Sequence, residues 1–262
     1  MKTFHLCTIA NNYLQYDNML ASLKKAGFND ENTRITLLDN VNANVFEPYS
    51  SINTAIEQTQ EKYLIFCHQD VLFDKGDDYH KLVSLLAELD LLDPQWALAG
   101  NAGVNNKFKQ VVRINDANHS PNWKGEFPQP VLVLDENFLV INVNRKIRCT
   151  KKLTGFHFYA HDLCLNAIYQ GCSCYVINFC ITHLSGGSFN DSFWKAKDEF
   201  YTYWSGKFVF CYIKTVTNIV MCFSKFKLLS FLGSFKYVTK LLFLFNRIHP
   251  FLYPRTHTKR VS

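Results

Sequence analysis

Residues 63–73 read YLIFCHQDVLF, five apolar residues that give way to His68, Gln69 and Asp70 before the chain turns apolar again. So short an apolar run predicts a strand buried on both faces. In an open α/β sheet, ligands bind beyond the carboxyl ends of the strands, which is where this strand delivers its polar residues. Period two puts His68 and Asp70 on the same side of the chain, a pairing suited to a divalent cation. The H-x-D spacing alone is also what any strand end produces on meeting a loop.

The same alternation extends outward. FHLCTIA at residues 4–10 predicts a first strand, and Tyr16, Met19, Leu20 and Leu23 follow at helical spacing up to Gly27, where a left-handed cap is expected. RITLLD at 34–39 predicts a second strand, and Ser50 and Ser51 are placed to cap a helix carrying Ile52, Ala55 and Ile56. Beyond the opening stretch, Leu82, Val83, Leu85, Leu86 and Leu89 mark another helix, and WALAG at 96–100 a strand. A polar stretch runs from Asn101 to Asn122, a strand pair is expected over 130–144 around a turn at Asp135 to Asn137, and a helix over 161–170 closed by Gly171. Strands alternating with helices predict an α/β fold, a mixed sheet flanked by helices, over residues 1–205.

Charge separates the remaining residues, 206–262, from that body. No Asp or Glu follows Glu199, whereas ten of the 28 Lys and Arg do, so residues 1–199 carry a net charge of −4 and the chain as a whole +6. A nucleic-acid reader would coat its folded groove with positive charge, so no nucleic-acid partner is expected. FVFCYIKTVTNIVMCFS at 208–224 is too interrupted to span a bilayer, and SKFKLLSFLGSFKYVTKLLFLF at 224–245 mixes lysine with Phe and Leu. These features predict a helical tail lying in a membrane interface or packed on the body. Nine cysteines in apolar runs, without the paired spacing of a zinc site, read as reduced thiols. The amino terminus, with His5 inside its short apolar run, is not expected to be a secretory signal, and the expected compartment is the cytoplasm, at the inner face of the membrane.

Three segments in order, SSINTAIEQTQEKYLIFCHQDVLF (50–73), GFHFYAHDLCLNAIYQG (155–171) and ITHLSGGS (181–188), resemble the family 2-like glycosyltransferases of the GT-A (Rossmann-like) fold, in a bacterial branch with H-Q-D in place of D-x-D. The resemblance implies a nucleotide-sugar donor, UDP-hexose or UDP-N-acetylhexosamine, and an inverting transfer to a surface glycan or lipid-linked glycan of lipopolysaccharide or capsule. It implies Mn²⁺ or Mg²⁺ held by Asp70, with His68 and His183 as further ligands, beside backbone donors of Gly186, Gly187 and Ser188. Asp162 matches the position of the general base, where a charge favourable to a helix amino terminus is the other reading.

Donor contacts are expected from Thr8 and Ala10 at the end of the first strand, Asp39 at the end of the second, and Asn53. Asp39 is otherwise a turn residue and Asn53 an ordinary first-turn polar residue. Asp135 and His161 are acceptor-side candidates, with Asp135 also explained by a hairpin turn, and Tyr159 and Trp194 are aromatic candidates for the face of an acceptor sugar. Two other classes compete: a metal-dependent phosphoesterase built on His68, Asp70, Asp162 and His183, and a noncatalytic sugar-binding scaffold.

Overall fold

The computed structural model describes residues 2–228 apart from 119, 187, 188, 209, 210 and 227. Its centre is a seven-stranded mixed sheet in the order β2-β1-β3-β11-β5-β12-β9, formed by Thr33–Asp39, Phe4–Ala10, Tyr63–Cys67, Phe138–Asn142, Trp96–Gly100, Ser173–Val176 and Gln129–Val131. β1 runs parallel to β2 and β3, while β11 is antiparallel to both of its neighbours. Period two sorts the strand residues between two cores. Leu64 and Phe66 face α2 (Pro48–Gln58), α4 (Tyr159–Tyr169) and α5 (Asp191–Trp204), whereas Tyr63, Ile65 and Cys67 face α1 (Tyr13–Lys25) and α3 (Tyr79–Leu92). β3 is thus buried on both faces, and the fold class is the mixed α/β sheet flanked by helices that the sequence predicts.

A second sheet places β4 (Val71–Leu72) at its edge beside β13 (Ile181–His183), followed by β7 (Gln110–Asn115), β6 (Ala102–Val104) and β10 (Val133–Leu134), with β8 (Pro121–Lys124) on β7. The polar stretch after residue 100 is therefore largely strand. The turn at Asp135 to Asn137 links β10 to β11, which lie in different sheets and do not form the expected pair. Glu47, followed by Pro48 in the first turn, caps α2 in place of the two serines. Gly27 takes a φ of +86° after α1, the left-handed conformation that favours glycine.

The helical reading of the tail is corrected over its first part. Cys211–Lys214 (β14) and Val220–Phe223 (β15) form an antiparallel hairpin. Cys211, Ile213, Met221 and Phe223 join Phe200 and Trp204 in the core, while Tyr212 and Cys222 are buried on the other face beside Phe108, which leaves Lys214 at the margin. Residues 229–262, on which the rest of the tail reading falls, lie outside the described residues. Among the described residues no helix is long and apolar enough to cross a membrane. Eight of the nine cysteines are buried, serving as small apolar side chains.

Candidate functional site

β3 ends at Cys67, and the next three residues turn the chain into β4. Antiparallel pairing sets His183 opposite Val71, and the Leu184 amide donates to the Asp70 carbonyl at 3.0 Å, so the strand edge of the second sheet carries His183 to Asp70. His68 Nδ1 lies 3.8 Å and His183 Nε2 3.5 Å from Asp70 Oδ1. Ligand atoms of the three residues all fall within 4.8 Å of one another. Ser185 Oγ donates to the other Asp70 oxygen, fixing the carboxylate from behind.

The tautomer of His68 follows from its neighbour. The Tyr159 hydroxyl donates to the Glu136 carbonyl at 3.0 Å, so at 3.0 Å from His68 Nε2 it accepts the ring proton. Nδ1 is left with its lone pair toward Asp70. Burial, and then the charge of His183, lower the His68 pKa. Burial opposes the charge of Asp70, but His183, Ser185 and His68 together hold its carboxyl well below the usual range. His183 is also disfavoured by burial, yet Asp70 raises it. Its Nε2 is buried without a hydrogen-bond partner. The lone pair of His68, a carboxylate oxygen and the orphaned buried nitrogen of His183, which would shed its proton on binding a metal, converge on one point and fit a cation, and two imidazoles favour Mn²⁺ over Mg²⁺.

Two cavities meet at this cluster. The first, of about 380 Å³, is lined by Ile9, Asn11, Asn40, Asn44, His68, Gln69 and Asp70 among others. Gln69 ties its rim together: its Oε1 accepts from the amides of Asn11 and Asn12 at 2.9 and 3.0 Å. His68 and Asp70 stand where the sequence reading puts them. Thr8 and Ala10 do not line the cavity; both are fully buried, since the parity of β1 turns Ile9 and Asn11 toward the α2 side. Asp39 lies at the end of β2 but accepts from Tyr13 and the Val41 amide, away from the cavity wall. Asn53 is a tether, bonded in both directions to the Cys149 backbone at 2.8 and 2.9 Å.

The second cavity, of about 490 Å³, is lined by His68 and His183 on one side and by Asp135, Glu136, His157 and His161 on another. Aromatic rings of Phe158, Phe189 and Phe193 and the hairpin residues Thr215 to Thr217 close it. Asp135 Oδ1 accepts from the Asn137 amide and side chain, so it holds the turn and faces the cavity at once. Glu136 was not picked out by sequence reasoning. Its Oε1 is buried without a hydrogen-bond partner, 3.9 Å from His161 Nδ1, and both ring nitrogens of His161 are equally unpartnered. Burial and the neighbouring Asp135 push the Glu136 carboxyl well up, against the pull of the amides of Phe158, Tyr159 and Ala160 at the start of α4. Burial lowers His161 to about 4. The signal for Glu136 is indirect: Phe158 gives α4 no side-chain cap, so the acceptor for its first amides comes from elsewhere in the chain.

Asp162 is not at either cavity, which corrects its assignment as the base. It is fully buried and accepts from the Thr150 amide at 2.6 Å, Trp204 Nε1 at 2.9 Å and Asn166 Nδ2 at 3.1 Å. These donors occupy both oxygens, and no acceptor hydroxyl reaches them. Tyr159 is 2% exposed and orients His68, leaving no free face for a sugar. Trp194 is exposed and packs on Phe189 and Phe193, which line the cavity in its place. Gly186 lines the second cavity, whereas Gly187 and Ser188 lie outside the described residues.

Fold and site together define a mixed-sheet α/β protein with a His–Asp–His cluster between two cavities at its strand ends. The chain is 30% identical over 203 residues to the protein named ATP synthase subunits region ORF 6 of Fuscovulum blasticum, covering 75% of this chain and 81% of that one. It belongs to the family of that protein, whose name states no activity. No family model matches the chain. Solved structures with a similar fold include TarS of S. aureus in complex with UDP-GlcNAc, at 12% identity and a TM-score of 0.49 over 77% of this chain and 66% of that one. A mannosyltransferase of Pyrobaculum calidifontis in complex with GDP-Man and Mn²⁺ aligns at 8% identity and 0.47, over 70% and 57%. A197 of STIV aligns at 12% identity and 0.42, over 70% and 86%.

Proposed function

We propose that this protein is a metal-dependent glycosyltransferase whose donor, a nucleotide sugar, occupies the first cavity and whose acceptor hydroxyl enters through the second. One observation carries the reading: His68 lines both cavities, so the only cation site found among the described residues lies where two bound molecules would touch. Such a junction suits transfer between two substrates, and the three segments that resemble family 2-like enzymes are the ones that build it.

The chemistry a divalent cation supplies when bound there is neutralisation of the charge on the leaving nucleoside diphosphate. Glu136 takes the proton of the acceptor hydroxyl as that oxygen forms its bond to the anomeric carbon; the anomeric carbon–phosphate oxygen bond breaks with its electron pair on the diphosphate. Burial and Asp135 make Glu136 a stronger base once ionised. Attack from the side opposite the leaving group inverts the anomeric centre. We further assign the donor to the UDP-hexose or UDP-N-acetylhexosamine class, and the acceptor to a surface glycan, free or lipid-linked, of lipopolysaccharide or capsule type. The site of action is the cytoplasmic face of the membrane, which the basic residues beyond position 206 favour.

Thermal stabilisation against UDP, GDP, CMP and their sugar conjugates, with Mn²⁺, Mg²⁺ or EDTA, tests this reading. A saturating ligand at about 100 times its Kd stabilises the fold by roughly 2.7 kcal/mol. The expected result is a shift with one nucleotide that needs Mn²⁺ and disappears in Asp70→Ala. Indifference to every nucleotide with every metal would remove the transferase reading.

A further inference from the structure

Resting on that reading, we infer that the second cavity selects an acceptor whose reacting end is an uncharged sugar, and rejects one bearing a carboxylate or phosphate beside the reacting hydroxyl. Asp116, Asp135 and Glu136 contribute carboxyl groups to its wall, and among the described residues no Lys or Arg lines the cavity. The nearby cations are engaged elsewhere: the Arg113 guanidinium sits 3.6 Å from the Trp123 ring centroid, and Lys124 donates to Gln110. His157 and His161 supply no compensating charge, because burial lowers both, while His68 and His183 are turned to Asp70, where a bound cation would be matched by the donor diphosphate. The cavity already resists the ionisation of its own Glu136, partly because of Asp135, and a further anion meets the same opposition.

The wall also carries unsatisfied polar atoms. His161 is 7% exposed, lines the cavity and leaves both ring nitrogens without a partner, and Glu136 Oε1 beside it is likewise unpartnered. Buried polar atoms of this kind call for a ligand. Across a gap of 3.9 Å one oxygen can lie within hydrogen-bond distance of both, provided that it donates to the carboxylate and accepts from the imidazole. A hydroxyl does both; a carboxylate or phosphate only accepts. The remaining wall, phenylalanine rings and threonine hydroxyls, suits the apolar face and the further hydroxyls of a neutral pyranose.

Saturation-transfer NMR on the full chain with UDP and Mn²⁺ tests this, using methyl β-glucoside and methyl β-galactoside against methyl β-glucuronide. The neutral glycosides are expected to bind at least about tenfold more tightly, the discrimination that one like charge several ångströms away imposes in a partly solvated site. Thr217→Lys adds a cation to the wall at an exposed hairpin residue, and Asp116→Asn removes an anion while keeping an oxygen for the amides of Asn118 and Ser120. Each is expected to narrow the gap severalfold. Equal or tighter binding of the glucuronide by the native protein, or a gap that neither variant narrows, overturns the inference. Neutral-glycoside preference without metal-dependent nucleotide binding would leave the cavity selective and sink the transfer reading alone; nucleotide binding with glucuronide preference would do the reverse.

Discussion

Two carboxyl groups lie at the head of α4, Asp162 fully buried and Glu136 half-buried, and they differ in what surrounds them. Asp162 has three donors on its two oxygens and is sealed beneath Trp204, while Glu136 leaves an oxygen bare against a cavity that also reaches His68 and His183. Burial raises both pKa values, Asp162 to about 6 and Glu136 well above its ordinary value. A perturbed carboxyl is therefore not by itself a site. The unspent lone pair decides: a group whose hydrogen-bonding capacity is filled by its own chain holds structure, and one with capacity left over can act on a ligand.

Glu136→Gln breaks the comparison most sharply. The amide keeps an oxygen for the α4 amides but cannot take a proton, so kcat is expected to fall by about 10²- to 10⁴-fold. Metal-dependent nucleotide binding and thermal stability are expected to stay close to native, which calorimetry and thermal unfolding would check. A variant that turns over at the native rate would strip Glu136 of its role.

Asp162→Asn should do the opposite. Whichever way the new amide turns, its NH₂ meets an N–H already present, from Thr150 and Asn166 on one side or Trp204 on the other, and a loss of about 2 kcal/mol is expected. Turnover per folded molecule should stay within about twofold of native. The pH dependence sharpens the contrast. With a folded pKa raised from 3.8 to about 6, Asp162 holds its proton in the native state where the unfolded chain has lost it. Its contribution to stability is thus complete below about pH 4, declines as pH rises toward 6 and is flat above. Thermal unfolding between pH 4 and 7 should show this decline in the native protein and its absence in the variant.

The His68–Asp70 half of the His–Asp–His cluster was legible in sequence because its signal is local. A buried strand announces itself by five apolar residues, and period two then fixes His68 and Asp70 together. His183 was legible only through the family resemblance, since a strand pairing joins it to Asp70 across more than a hundred residues. Where the readings failed, geometry beyond the local pattern decided. Strand parity exchanged Thr8 and Ala10 for Ile9 and Asn11, a matter of one residue that no composition reveals. Asn53 points along its helix toward Cys149 and not into the crevice. The hairpin at Cys211 to Phe223 was hidden in a run that reads as helical, because its strands are four residues each, apolar on both faces, and its partner is the α5 face. Glu136 lay in an apparent turn, and its importance depends on the uncapped start of a helix more than twenty residues later.

The smallest effect concerns Tyr159, which links Glu136 to the His–Asp–His cluster through its hydroxyl. That group donates to the Glu136 carbonyl and accepts from His68 Nε2, holding the imidazole in the tautomer that aims Nδ1 at Asp70. Tyr159→Phe keeps the ring in its packing against Tyr49 and Phe66 but removes the acceptor. His68 is then free to carry its proton on Nδ1, where it hydrogen-bonds Asp70 and competes with a cation. Mn²⁺ affinity is expected to weaken by about tenfold, as for the loss of an outer-shell partner elsewhere. Titration of the protein with Mn²⁺ by electron paramagnetic resonance would read this directly, without requiring turnover. Rising pH should not restore the affinity, because the defect is in the position of a proton and not in its number. Unchanged affinity would mean that Asp70 and His183 orient the site unaided, and that the hydroxyl serves Glu136 alone.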